Sequence, residues 1–86
     1  MNLVKRVPYT DIDGRQCDAR LYSDGESYEA RPFRDEHPIG RIVYTTTAEN
    51  VQNARWGGFD ALQNLIDLAK SMGEEISRIQ ASERAL

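Results

Sequence analysis

Eighty-six residues make one domain, enough for a single two-layer core and too few for an enclosed substrate cavity with walls to support it. A formal charge of −3 argues against a chain that tracks phosphates, yet nine of the eleven basic residues are arginine, the bidentate and stackable cation found at protein interfaces. One cysteine, Cys17, leaves no intramolecular disulfide or thiolate metal cluster; no apolar run reaches the roughly 18 to 20 residues of a membrane span, and Met1 to Arg6 lacks the apolar core of a signal peptide. The expected setting is therefore cytoplasmic, with no membrane contact.

Leu3 to Thr10 reads as a first strand, and Pro8, which cannot donate to a ladder, places it at an edge or beside a bulge. Arg15 to Ser23 is a second strand that alternates: Cys17, Ala19 and Leu21 point one way, Gln16, Asp18, Arg20 and Tyr22 the other. A two-residue Asp13-Gly14 loop between them would set Val7 and Tyr9 against the charged Arg20 and Asp18. A three-residue loop, Ile12-Asp13-Gly14 with Gly14 left-handed as a G1 bulge, sets Tyr9 opposite Cys17 and Val7 opposite Ala19, and is the form expected.

Asp24-Gly25 has the composition of a two-residue hairpin turn. Counting outward from it pairs Tyr22 with Ser27, Arg20 with Glu29, Ala19 with Ala30 and Asp18 with Arg31. Opposite charges then share one face and apolar residues the other. Arg34 to Pro38, RDEHP, is a charged loop, and Ile39 to Thr45 is the next strand, weakened by Gly40.

Thr46 with Glu49 has the spacing of a capping box, so Thr47 to Arg55 is a short helix with Ala48, Val51 and Ala54 inward. Trp56 then closes that helix and packs into the joint before Gly57-Gly58. From Phe59 to Ile79 the apolar positions Phe59, Leu62, Leu65, Ile66, Ala69, Met72, Gly73, Ile76 and Ile79 form one stripe, begun by an Asp60–Gln63 capping box. The stripe stays in phase across Gly73, which predicts a continuous helix lying close against the sheet at that point. Residues 1–80 are expected as a single α+β domain, with 81–86 a frayed tail. The fold class is two-layer α+β: an antiparallel sheet of three or four strands, a short helix, and a longer C-terminal amphipathic helix packed on one face.

Chemistry is sparse. Asp11-Ile12-Asp13-Gly14 has the opening of a calcium loop without its further oxygen ligands, and turn chemistry accounts for it. His37 beside Asp35 and Glu36 is the one acid–base candidate, on what reads as a solvated loop. No serine or threonine has a visible base, and Gly57-Gly58 lacks the Lys-Ser/Thr of a phosphate-binding loop. No enzyme activity, cofactor or metal is expected.

What remains is surface. The outer sheet face should carry Arg20, Tyr22, Glu29, Arg31 and Phe33, a mixture of arginine and aromatics typical of protein interfaces. The outer side of the long helix carries Asp60, Asp67 and Glu74, an acidic strip suited to a basic groove. The layout from Tyr22 to Ile79, a Gly-turned hairpin, a further strand, a short capped helix ending in an aromatic, a Gly break and a longer helix, resembles that of small phage-encoded anti-CRISPR proteins. The resemblance implies a stoichiometric inhibitor that binds a nucleic-acid-processing effector complex, and transfers no site residue. The hairpin around Asp24-Gly25 is also similar to the strand pair of HicB-type antitoxins, although the strand such proteins carry between their helices is missing here. The expected function is thus an acidic, non-enzymatic protein-binding inhibitor or regulator from a mobile element. Alternatives are an antitoxin-like regulator associated with nucleic acid and a subunit that self-associates as a homodimer through Tyr22 and Phe33.

Overall fold

A computed structural model describes residues 1–84 as an antiparallel sheet followed by two helices, the α+β class expected. The strands are β1 (Asn2–Thr10), β2 (Gln16–Ser23), β3 (Ser27–Arg34), β4 (His37–Pro38) and β5 (Tyr44–Thr47); the helices are α1 (Ala48–Trp56) and α2 (Ala61–Arg84). Strand order is β1-β2-β3-β4, and β5 also pairs with β3, so the two halves of β3 take different partners along one edge.

The first hairpin forms as its sequence predicts. Gly14 sits at φ +79°, its amide donates to the Asp11 carbonyl at 3.0 Å, and the register sets Val7 opposite Ala19 and Tyr9 opposite Cys17. β1 is an edge strand, as Pro8 requires, with a register shift between Leu3 and Lys5.

The second hairpin keeps its faces and changes its offset. Tyr22 pairs with Glu29, Arg20 with Arg31 and Asp18 with Phe33, two residues away from the expected register, so the pairs Arg20–Glu29 and Asp18–Arg31 do not form. The turn is Gly25-Glu26, with positive φ (+96°) at Gly25 alone. Asp24 flanks it instead of lying inside it: its amide donates to the Ser27 carbonyl, and its carboxylate accepts from the Glu26 and Ser27 amides at 2.9 and 2.8 Å. A slip of two preserves side-chain parity, so Ala19, Leu21 and Ala30 still point into the core.

The charged segment RDEHP is a hairpin and not a loop. Asp35 and Glu36 both adopt left-handed φ (51° and 67°), which closes Arg34 onto His37. The strand expected over Ile39 to Thr45 begins only at Tyr44, because Gly40 turns left-handed at φ +71° and breaks the extended run.

Thr47 caps α1 by accepting from the Asn50 amide at 3.1 Å, one residue later than the Thr46 cap anticipated. The helix ends in a Schellman motif: Gly58, at φ +77°, donates to the Arg55 carbonyl, and Phe59 donates to the Ala54 carbonyl, both at 2.9 Å. Trp56 is the last helical residue but does not pack into the joint. It lies five positions after the buried Val51, about 140° around the helix, and is 84% exposed.

Asp60 caps α2 by accepting from the Gln63 amide at 3.0 Å, while the Gln63 side chain turns forward to Asp67, so only half of the expected box forms. Leu65, Ile66 and Ala69 bury against Ala19, Leu21 and Ala30. The helix runs through Gly73 unbroken; a Cβ there would collide with the Tyr9 hydroxyl and sit 2.8 Å from the Pro32 Cβ, so the close approach needs glycine. Buried positions 65, 69, 73 and 77 follow an every-fourth-residue row, which drifts about 40° per step and leaves Ile79 outside the contact, while Phe59 precedes the Asp60 cap and is not part of the helix. The helix is continuous beyond Gln80 to Arg84, which reaches Asp13; of the tail expected over 81–86, Ala85 and Leu86 lie outside the described residues.

Candidate protein-interaction surface

The sheet face away from α2 is built around Arg20. The alternation of β2 directs this side chain outward, yet Arg20 is only 7% exposed because three neighbours enclose it. Its guanidinium carbon stands 4.1 Å from the centre of the Phe33 ring, its Nε donates to Asp18 at 2.7 Å, and an Nη donates to Glu36 at 2.7 Å. Glu36 reaches that position because the left-handed Asp35-Glu36 turn folds it back over the sheet. Arg6 from β1 completes the cluster, 3.1 Å from Asp18 and 3.7 Å from Glu36. The hydrogen bonds that Arg20 donates to Asp18 and Glu36 outweigh desolvation and raise its already high pKa, and the same contact lowers that of Glu36.

Around this buried centre lie the half-exposed side chains Tyr22, Glu29 and Arg31. The Tyr22 ring meets Phe33 at 6.3 Å and a tilt of 52°, at the edge of the stack that Phe33 makes with Arg20. Arg6, Arg20 and Arg31 stand directly opposite one another on three adjacent strands. Asp18 and Glu36 compensate the first two. Arg31 donates only to the Gly40 carbonyl at 3.2 Å, and its Nε has no acceptor among the described residues.

The surface expected from sequence is therefore present in composition but divided in accessibility. Arg20 and Phe33 are buried supports; Tyr22, Glu29 and Arg31 form the part that another molecule can touch. The acidic strip on α2 is largely engaged within the helix. Asp60 is the cap, Asp67 accepts from Gln63 at 3.0 Å, and Glu74 stands 4.0 Å from Lys70.

A second polar cluster, invisible in the sequence reading, lies beneath α2. Asp11 is 6% exposed, and its carboxylate accepts from the amides of Asp13 and Arg15, both at 2.9 Å, and from the Ser77 hydroxyl at 3.4 Å, with an Arg34 Nη at 3.6 Å. Burial alone would push this carboxyl up, but the Arg15 and Asp13 amides, Arg34 and Ser77 together hold it below the ordinary aspartate value. Cys17 and Tyr9 line the same region. Burial first, and the Asp11 charge second, raises the Cys17 thiol, and burial raises the Tyr9 phenol, whose hydroxyl has no hydrogen-bond partner although Cys17 lies beside it. The one available signal was Ser77, which falls on the same every-fourth row as Leu65, Ala69 and Gly73. Every polar contact of the Asp11 carboxylate is internal, so this cluster ties the first turn to α2 and β3.

Among the described residues no three His, Cys, Asp or Glu side chains are grouped to hold a metal ion, and no helix is long and apolar enough to cross a membrane. His37 is exposed on the two-residue β4, paired across from Arg34. Comparison of the chain with protein-family models, with curated proteins and with solved structures gives no match in any of the three.

Proposed function

We propose that this chain is a non-enzymatic protein-binding module, a small inhibitor or regulator of the mobile-element kind that acts by occupying part of a larger macromolecular complex. The observation that carries this reading is the clamped Arg20: a guanidinium stacked on Phe33 and tied to two carboxylates gives the outer sheet face a rigid base. A preordered surface loses little conformational freedom on association. Tyr22 supplies an aromatic contact at its rim, and Arg31, the arginine of the row without a carboxylate, supplies a cation for an acidic side chain of the partner. The class of complex, a nucleic-acid-processing effector, is what the sequence layout's resemblance to anti-CRISPR proteins implies.

The test is capture of a purified candidate effector by the tagged chain. Tyr22→Ala combined with Arg31→Ala should reduce capture at least about tenfold, the loss of one to two central contacts, with an unchanged circular dichroism spectrum. Undiminished capture sinks the assignment to this face. Arg20 is unsuitable for the purpose, since replacing it removes the support together with the surface. Direct action on nucleic acid is the competing reading, and it requires a gel shift that weakens steeply between two salt concentrations.

A further inference from the structure

The most exposed aromatic residue lies on neither sheet face. Trp56 is 84% exposed and Phe59 54%, and both project from the α1–α2 elbow. The Schellman hydrogen bonds hold that elbow in one conformation, so the indole is presented on a fixed base and not on a mobile loop. Next to it is an open depression of about 240 Å³ lined by Arg55, Gly58, Phe59 and Asp60. Gly58 has open space where a side chain would begin. Arg55 and Asp60 are both exposed, and neither forms an ion pair among the described residues.

We infer that this elbow pairs two copies of the chain about a two-fold axis, each Trp56 seated in the other copy's depression and each Arg55 facing the other copy's Asp60. An isologous interface requires a patch that complements itself. A projecting indole beside a hollow, and an unpaired cation beside an unpaired anion, meet that requirement on one small surface. The two aromatics offer roughly 300 Å² per copy, or roughly 600 Å² for the pair, which is the size of a weak and transient contact. The dimer is therefore weak and reversible. It is independent of the outer sheet face, which it leaves open on both copies.

Sedimentation equilibrium from roughly 5 µM to roughly 500 µM, the span over which so small an interface titrates, should show a mass rising from 9.8 kDa toward twice that value. Emission of the single tryptophan should shift to the blue over the same range. Trp56→Ala should stay monomeric throughout. Arg55→Glu should weaken association about tenfold through like-charge repulsion, and Asp60→Asn, which retains a capping side chain, should weaken it less. A mass fixed at 9.8 kDa with unchanged emission overturns the proposal. So does a dimer indifferent to Trp56→Ala and Arg55→Glu, or an elbow that serves only a different protein while the chain stays monomeric.

Discussion

Each face of the sheet holds an arginine–carboxylate cluster, and the two are built the opposite way round. Beneath α2 the carboxylate is the buried member: the Asp11 side chain is fully enclosed while Arg34 reaches in from a position 19% exposed. On the outer face the arginine is enclosed, with Arg20 at 8% side-chain exposure, and Glu36 stands 71% open to water. The difference decides what each cluster can do. A buried anion with all its acceptors engaged ties three parts of the chain together and offers nothing outside. A buried cation with one anion enclosed beside it, Asp18, and one open at the rim, Glu36, stiffens a surface that remains available.

Removing the buried anion should have the largest effect. Asp11→Ala leaves the Asp13 and Arg15 amides and the Ser77 hydroxyl without an acceptor and Arg34 with Gln80 alone, and we expect a loss of about 3 kcal/mol in chemical denaturation. Arg20→Ala should cost less, about 2 kcal/mol, because the open Glu36 is rehydrated when its partner goes and the enclosed Asp18 keeps Arg6. The reverse order would break the comparison.

Gly73→Ala should destabilise by about 1 kcal/mol despite the higher helix propensity of alanine, because the added methyl meets the Tyr9 hydroxyl and Pro32. Tyr9→Phe removes that hydroxyl, which has no partner, at little or no cost, and should relieve part of the Gly73→Ala defect in the double variant. Tyr22→Ala with Arg31→Ala should change stability by less than about 1 kcal/mol, separating the accessible rim from the support beneath it.

The pH dependence of unfolding sharpens the same contrast. The fold lowers the Asp11 carboxyl below its ordinary 3.8, so the stability it adds is complete above that value and is lost as pH falls below it toward the folded pKa. Asp11→Asn should flatten this acid limb. Cys17 and Tyr9 have raised values, so their contributions are complete below the ordinary 9.0 and 10.0 and are lost as pH rises beyond them. Denaturation midpoints across acid and alkaline series measure both limbs.

Local rules made most of the architecture legible. Side-chain parity in β2, the G1 bulge at Gly14, the continuity of α2 through Gly73 and its cap at Asp60 all rest on interactions within a few residues. The second hairpin shows where such rules become ambiguous, since Gly25 is left-handed in either turn and only the capping preference of the Asp24 carboxylate selects the offset. Asp35-Glu36 carries no glycine or asparagine to advertise a tight turn. The burial of Arg20 depends on that turn, and the partnership of Asp11 with Ser77 depends on packing between opposite ends of the chain; neither has a nearby signature.

The tie between Asp11 and Ser77 spans 66 residues, and the Arg84–Asp13 contact spans 71, whereas β1 to β4 join sequence neighbours through short hairpins. Closing so wide a loop yields nothing until the sheet and α2 already exist, so this clasp should lock last and release first. Native-state hydrogen exchange should then find the first turn and the last turns of α2 opening as one cooperative unit while β2 and β3 stay protected, a fraying that begins at two distant points of the chain at once.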